Sequence, residues 1–200
     1  MQPLGFGLVI EIEMNVQPDY EIVHEDLIDG CKRGDGTAFR EIYRLYSRAM
    51  YNTCLRMMNN REEAEDILQE SFASAFRNIH RYRKESAFGA WLKQIVINRC
   101  INALNKRSLQ LAELKEGYEF KDEDTEERNV PDSYDVAMVK QAIAKLPDGY
   151  RSVLNLYLLE GYDHKEIAEI LSISESTSKT QYLRAKKRLQ SILKEMPYEG

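Results

Sequence analysis

The sequence predicts an all-α chain built as two small helical domains joined by a flexible acidic linker. Three observations carry this. Apolar residues recur every three to four positions through most of the chain, and Gly, Asn and Pro punctuate that pattern at the ends of the runs. One long stretch, KEGYEFKDEDTEERNVPDSYD from Lys115 to Asp135, has no sustained period. A composition of 43% hydrophobic and 30% charged residues describes a soluble globular chain. No apolar run reaches the roughly 20 residues of a spanning helix, so no membrane insertion is expected.

Residues 1–25 form an N-terminal extension. Its apolar start, MQPLGFGLVIEIEM, has no basic residues before it and is interrupted by Glu11 and Glu13, so it fails as a secretory signal and the chain is expected to stay in the cytoplasm. An edge strand, a disordered extension and an overlong start with Met14 as the true initiator all fit, the last two ranking first.

The first domain is expected over 26–107. Phe39, Ile42, Tyr43, Tyr46, Ala49, Met50, Thr53, Cys54 and Met57 mark one helix, opened after Gly34-Asp35-Gly36 and closed at Asn59-Asn60. Ala64, Ile67, Leu68, Ser71, Phe72, Ala75, Phe76 and Ile79 mark a second. Phe88, Trp91, Leu92, Ile95, Val96, Cys100 and Leu104 mark a third, with His80 to Ala87 as the loop between. Residues 108–134 are the linker, low in apolar content and broken by Gly117 and Pro131. The second domain, 135–196, holds four short helices. One over Val136 to Leu146 stops at Pro147, one over Tyr150 to Leu158 ends near Gly161, and the last two are joined by Ser-Ile-Ser at helix-turn-helix spacing.

Charge is segregated within a net −5. From Arg77 to Arg107 the basic residues face only Glu85, and the helix after Ser174 carries Lys179, Arg184, Lys186, Lys187, Arg188 and Lys194 against Glu175. Acid concentrates in the linker and on the second helix. Cys31, Cys54 and Cys100 have no metal-ligand spacing with His24, His80 or His164, so reduced packing cysteines, no metal and no cofactor are expected.

Three constellations carry chemistry. In the helix-turn-helix, Ser176, Lys179, Thr180, Leu183, Arg184 and Lys187 share one face of the last helix. Guanidinium, ammonium and hydroxyl groups suit base edges and phosphates there, and an aliphatic group suits a thymine methyl. In REEAEDILQESF, Glu62, Asp66, Gln69 and Glu70 form an acidic face. It reads as a docking face for a protein partner, as a solvated surface, or as a metal site if a facing helix adds carboxylates. In RYRKESAFGAWLKQIVINRCINALNKR, Arg81, Tyr82, Arg83, Lys84 and Phe88 combine charge with aromatic planes, as in sites for unstacked single-stranded bases. Gln94, Asn98, Arg99, Asn102, Asn105, Lys106 and Arg107 make an amide-rich, basic face. Trp91, at helical spacing with Phe88 and Ile95, reads as core, and Phe88 fits either role.

AEDILQESF, then FGAWLKQIVINRCINALNKR, an acidic linker, and LPDGYRSVLNLYLLEGYDHKEIAEILSISESTSKTQYLRAKKRL together resemble the extracytoplasmic-function sigma factors of bacterial RNA polymerase, over about Asp26 to Met196. The resemblance implies that Asp66, Gln69, Glu70 and Phe72 dock on the polymerase core. It implies that the Arg81 to Phe88 loop receives a flipped base of the non-template strand, and that Asn98 contacts the downstream promoter element with Arg99, Asn102 and Lys106 beside it. Lys179, Thr180, Leu183 and Arg184 would read the upstream element as duplex. The implied function is promoter recognition and melting without catalysis, and the implied partners are core polymerase, promoter DNA and an anti-sigma protein that masks these faces. Melting costs about 1.4 kcal/mol of stacking per step, so single-strand capture in one domain and duplex reading in another form a consistent pair.

Two other functions fit parts of the sequence: an operator-binding regulator, which leaves the acidic face and the Arg81 to Phe88 loop unexplained, and a nucleotide hydrolase using the helix-two carboxylates, which lacks facing acids because the third helix supplies none and the first little beyond Glu41. The chain also departs from the commoner family pattern. Ser178 stands where Val is usual, Gln181 replaces Arg and Tyr182 replaces Leu. The Ser178 hydroxyl is expected to bond a backbone carbonyl one turn back.

Overall fold

The computed structural model describes residues 24–114 and 135–196; the N-terminal extension up to residue 23, most of the acidic linker and residues 197–200 lie outside them. The described residues form eight α-helices and one 3-10 turn, with the chain dividing into two compact units near Gln110.

The first unit holds α1 (Glu25–Lys32), α2 (Gly36–Met58), α3 (Arg61–Arg77), a 3-10 turn (Ile79–Arg81) and α4 (Phe88–Leu114). The sequence pattern did not show α1 or the 3-10 turn, and α4 runs on to Leu114, past the boundary expected at 107. Gly30 lets α1 lie close to α2: a Cβ there would stand 2.8 Å from the Ala38 Cβ, nearer than carbon atoms approach. Asp35 caps α2 by accepting from the Thr37 amide at 2.8 Å. Asn59 ends α2 in the left-handed region (φ 52°), and Asn60 caps α3 by accepting from the Glu63 amide at 3.2 Å, so two adjacent asparagines turn the chain between helices.

The core of this unit follows the sequence stripes. Ile42, Met50, Cys54 and Met57 of α2 are buried, as are Ala64, Ile67, Leu68, Phe72 and Ala75 of α3 and Leu92, Val96, Ile97, Cys100, Ile101 and Leu104 of α4. The three cysteines are free and buried, and burial, helped by the Asp35 charge, pushes the Cys31 thiol up to about 11.

The second unit holds α5 (Val136–Ala144), α6 (Asp148–Leu158), α7 (His164–Leu171) and α8 (Glu175–Glu195). Its core is built from Ala142, Leu146, Leu154, Ala185, Leu189, Ile192 and Leu193. Arg151 is buried in it and donates to the Leu146 carbonyl at 2.7 Å and to the Asp148 carboxylate, so its charge is satisfied where α6 begins. A reciprocal cap opens α7: the Asp163 carboxylate accepts from the Lys165 and Glu166 amides, and Glu166 accepts from the Asp163 amide. Ser172 closes α7 in the left-handed region (φ 55°), and Ser174 caps α8 by accepting from the Thr177 amide at 3.0 Å. A tight, doubly capped turn thus joins the two helices, and α7 packs against α8.

Candidate nucleic-acid interface

Helix α8 has two chemically distinct sides. Inward, Ser178, Ala185 and Leu189 are buried and Tyr182 is half-buried. Outward, Ser176, Lys179, Thr180, Leu183, Arg184 and Lys187 are all exposed, as their spacing predicts. Leu183 keeps 60% of its surface open, a large aliphatic side chain with no core role. Lys179 pairs with Glu175 at 2.6 Å, and that hydrogen bond and charge hold the Glu175 carboxyl below its ordinary value. The Thr180 hydroxyl donates to the Ser176 carbonyl at 2.9 Å, and the Ser174 and Ser176 hydroxyls lie 2.8 Å apart. The first turn of α8 therefore presents hydroxyls and an ammonium on one exposed surface.

Ser178 does not bond the carbonyl one turn back. Its hydroxyl lies 3.0 Å from His164 Nδ1, at the start of α7, because its full burial places it against that helix. The His164 ring stacks on Tyr157 of α6 (4.6 Å between centroids, 18° between planes) and meets the Tyr182 ring at 5.6 Å, with Tyr157 and Tyr182 4.5 Å apart. Burial, with the Tyr157 hydroxyl nearby, raises the Tyr182 hydroxyl above its ordinary value.

In the first unit the loop after α3 separates its predicted residues into two groups. Arg81, Arg83 and Lys84 are exposed. Tyr82 and Phe88 are not: they keep 7% and 4% of their surface and meet edge to face at 5.3 Å. They form one aromatic cluster with Tyr46 and Trp91, the latter half-buried where its spacing had placed it in the core. The Tyr82 hydroxyl donates to the Ser86 carbonyl at 2.7 Å, tying the loop across itself. These two aromatics shape the loop from below instead of offering a stacking surface; an aromatic in a short loop between helices fills the gap between them. Lys84 adopts a left-handed backbone (φ 60°) and its ammonium lies 3.3 Å from Glu25 of α1. Along α4, Gln94, Asn98, Asn102, Asn105 and Lys106 are exposed, an amide row as the sequence predicts.

On α3, Asp66, Gln69 and Glu70 are exposed, but Phe72 keeps only 2% of its surface and packs on Tyr43 (4.7 Å between centroids) and Phe76 (5.8 Å). Phe72 thus supports the acidic face from within. The exposed aromatic beside it is Tyr43 of α2, 40% open, which sequence periodicity had placed in the core stripe. The helix facing the α3 acids supplies cations: Arg99 donates to Glu70 at 2.7 Å, and Arg107 donates to Glu63. Guanidinium groups stand where a metal-dependent hydrolase would need further carboxylates. Among the described residues no group of three His, Cys, Asp or Glu side chains is placed to hold a metal ion, and no helix is long and apolar enough to cross a membrane.

Known proteins match this arrangement in both units. Residues 42–110 match the family model for Sigma-70 region 2, and residues 137–189 match Sigma-70, region 4. The ECF RNA polymerase sigma factor SigW of Bacillus subtilis is 32% identical over 186 residues, spanning 88% of this chain and 100% of its own. The RNA polymerase sigma-H factor of Pseudomonas aeruginosa is 31% identical over 185 residues, spanning 86% of this chain and 96% of its own. Among solved structures, the sigma factor RpoE of Bartonella quintana, crystallised with the anti-sigma factor NepR, shares the fold with a TM-score of 0.53 at 23% identity, covering 80% of this chain and 98% of that one. With two sigma domains in order and full-length relatives at this identity, the chain belongs to the extracytoplasmic-function subfamily of RNA polymerase sigma factors.

Proposed function

We propose a division of labour among the exposed faces of this sigma factor. The acidic face of α3, Asp66, Gln69 and Glu70, docks on a basic surface of core polymerase. The outward face of α8 reads the upstream promoter element in the major groove through Ser176, Lys179, Thr180, Leu183, Arg184 and Lys187. Arg81, Arg83 and Lys84 of the loop, with Asn98, Arg99, Asn102 and Lys106 of α4, hold the downstream element as it melts, while Tyr82 and Phe88 keep the loop in shape. The chain has no catalysis of its own and works in the cytoplasm, where polymerase and template meet. An anti-sigma protein, like the partner crystallised with the relative from Bartonella quintana, would compete for these same faces.

The observation that carries this reading is the segregation of exposed charge: basic and amide side chains line α8 and α4, and acidic ones line the outer side of α3. Transcription reconstituted from core polymerase, this chain and genomic promoter DNA tests it. Replacing Asp66 and Glu70 with Lys is expected to abolish association with core polymerase while the protein still melts cooperatively near the wild-type temperature. Undiminished association would overturn the docking assignment.

A further inference from the structure

We propose that His164 and Ser178 act as specificity-determining positioning residues, which set the orientation of the α8 reading face although neither side chain belongs to it. The proposal rests on the upstream-element reading given above and deepens it.

Ser178 has no exposed surface, and its hydroxyl meets His164 Nδ1 at 3.0 Å. The imidazole is held on two further sides, by the stacked Tyr157 ring of α6 and the Tyr182 ring of α8 itself. One ring thus ties three helices, and two of its contacts fall on α8 one turn apart, at positions 178 and 182. An aliphatic contact between α7 and α8 would be non-directional, satisfied over a range of helix rotations. A hydrogen bond between two small groups is not: it weakens steeply as distance and angle depart from ideal. The polar and aromatic side chains here therefore define the angular setting of α8 about its own axis more sharply than aliphatic packing can.

That setting matters because the reading residues are neighbours of the pin. Lys179 and Thr180 follow Ser178 directly, and Leu183 follows Tyr182. Side chains stand about 5–6 Å from a helix axis, so turning α8 by about 10° moves their tips by about 1 Å. A hydrogen bond to a base edge has a window of only about 0.5 Å. Contacts to phosphates through long, flexible Lys and Arg side chains absorb such a shift, whereas base-edge contacts do not. Disturbing the pin should therefore cost sequence discrimination more than it costs general affinity.

The test uses holoenzyme reconstituted from core polymerase and the full chain, with a pool of promoter-length duplexes randomised across the upstream segment. The wild type is expected to enrich one motif. His164→Leu and Ser178→Ala are each expected to reduce discrimination between that motif and a scrambled duplex by about tenfold or more, with binding to the scrambled duplex nearly unchanged. His164→Asn, which keeps a polar atom close to the position of Nδ1, should recover most of the discrimination. The double variant His164→Leu/Ser178→Val, which exchanges the polar pair for an apolar contact, controls for folding: it should regain thermal stability yet enrich an altered or broadened motif. If the single variants lose stability but enrich the wild-type motif at the wild-type ratio, or the double variant restores both, the positioning role is overturned and the bond is a packing detail. A wild type that enriches no upstream motif would instead overturn the promoter-reading assignment, and this proposal with it.

Discussion

Arg99 of α4 donates to Glu70 of α3 at 2.7 Å, so one ion pair joins the helix face assigned to polymerase to the helix face assigned to DNA. The pair is solvent-accessible, with 67% of the Glu70 side chain open, and such pairs contribute about 0–1 kcal/mol. It can be exchanged at little cost for a phosphate on one side and a basic partner on the other.

Removing the acid should therefore release the cation. Glu70→Gln is expected to raise the affinity of the free protein for forked downstream DNA a few-fold, and to steepen the salt dependence by about one phosphate contact. Fluorescence anisotropy across a salt series measures both. An unchanged salt slope would mean that Arg99 reaches no phosphate.

On α8 two substitutions should separate affinity from specificity. Lys187→Ala is expected to weaken binding to all duplexes alike and to lower the salt slope by about one. Leu183→Ala removes a side chain that is 60% exposed, so stability should stay within about 0.5 kcal/mol, while preference at one base pair of the upstream element relaxes. Competition binding with single-base variants of the preferred duplex distinguishes the two.

In the loop, burial predicts opposite behaviour for neighbouring residues. Phe88→Ala empties a site in the aromatic cluster and should cost about 3–5 kcal/mol of stability in the first unit. Arg83→Ala should change stability by less than about 0.5 kcal/mol and instead slow open-complex formation. Urea denaturation alongside permanganate footprinting of the melted bases reads each effect separately. An Arg83 variant that melts promoters at the wild-type rate would remove it from the downstream interface.

His24 links folding to pH. It keeps 5% of its surface, against the Tyr46 ring, and burial lowers its pKa from the ordinary 6.5. The unfolded chain then takes up a proton that the native state holds less tightly. Stability from this group is full above about 6.5 and falls as pH drops below it toward the depressed native value. Denaturation at pH 7.5 and 5.5 should show a larger loss on acidification for the wild type than for His24→Phe; equal losses would place the coupling elsewhere.

The helices with long apolar stripes were legible in the sequence because burial follows the same period: of the second stripe, Ala64, Ile67, Leu68, Ser71, Phe72, Ala75 and Ile79 are buried and Phe76 is half-buried. Helix α1 was not legible, because eight residues hold too little pattern and its seat depends on the fit of Gly30 against Ala38, a tertiary contact. The exposed faces of α8 and α4 followed from helical geometry alone. Tyr82 was misplaced and Phe88, which fitted either role, is buried, for one shared reason. Near helix ends and loops, residue type does not say whether an aromatic ring faces solvent or the gap between helices. The His164 bond to Ser178 spans fourteen residues and two helices. Local reasoning could only pair that hydroxyl with its own helix.

On α8 different residues make the two sides: Ser178, Ala185 and Leu189 are buried, Ser176, Lys179, Thr180, Leu183, Arg184 and Lys187 are exposed, and Tyr182 lies half-buried between them. If the exposed set reads promoters as proposed, copies of such a gene can exchange it one residue at a time, acquiring new target genes without passing through unfolded ancestors. On the same reading, those six positions form a natural library for redirecting transcription to chosen promoters.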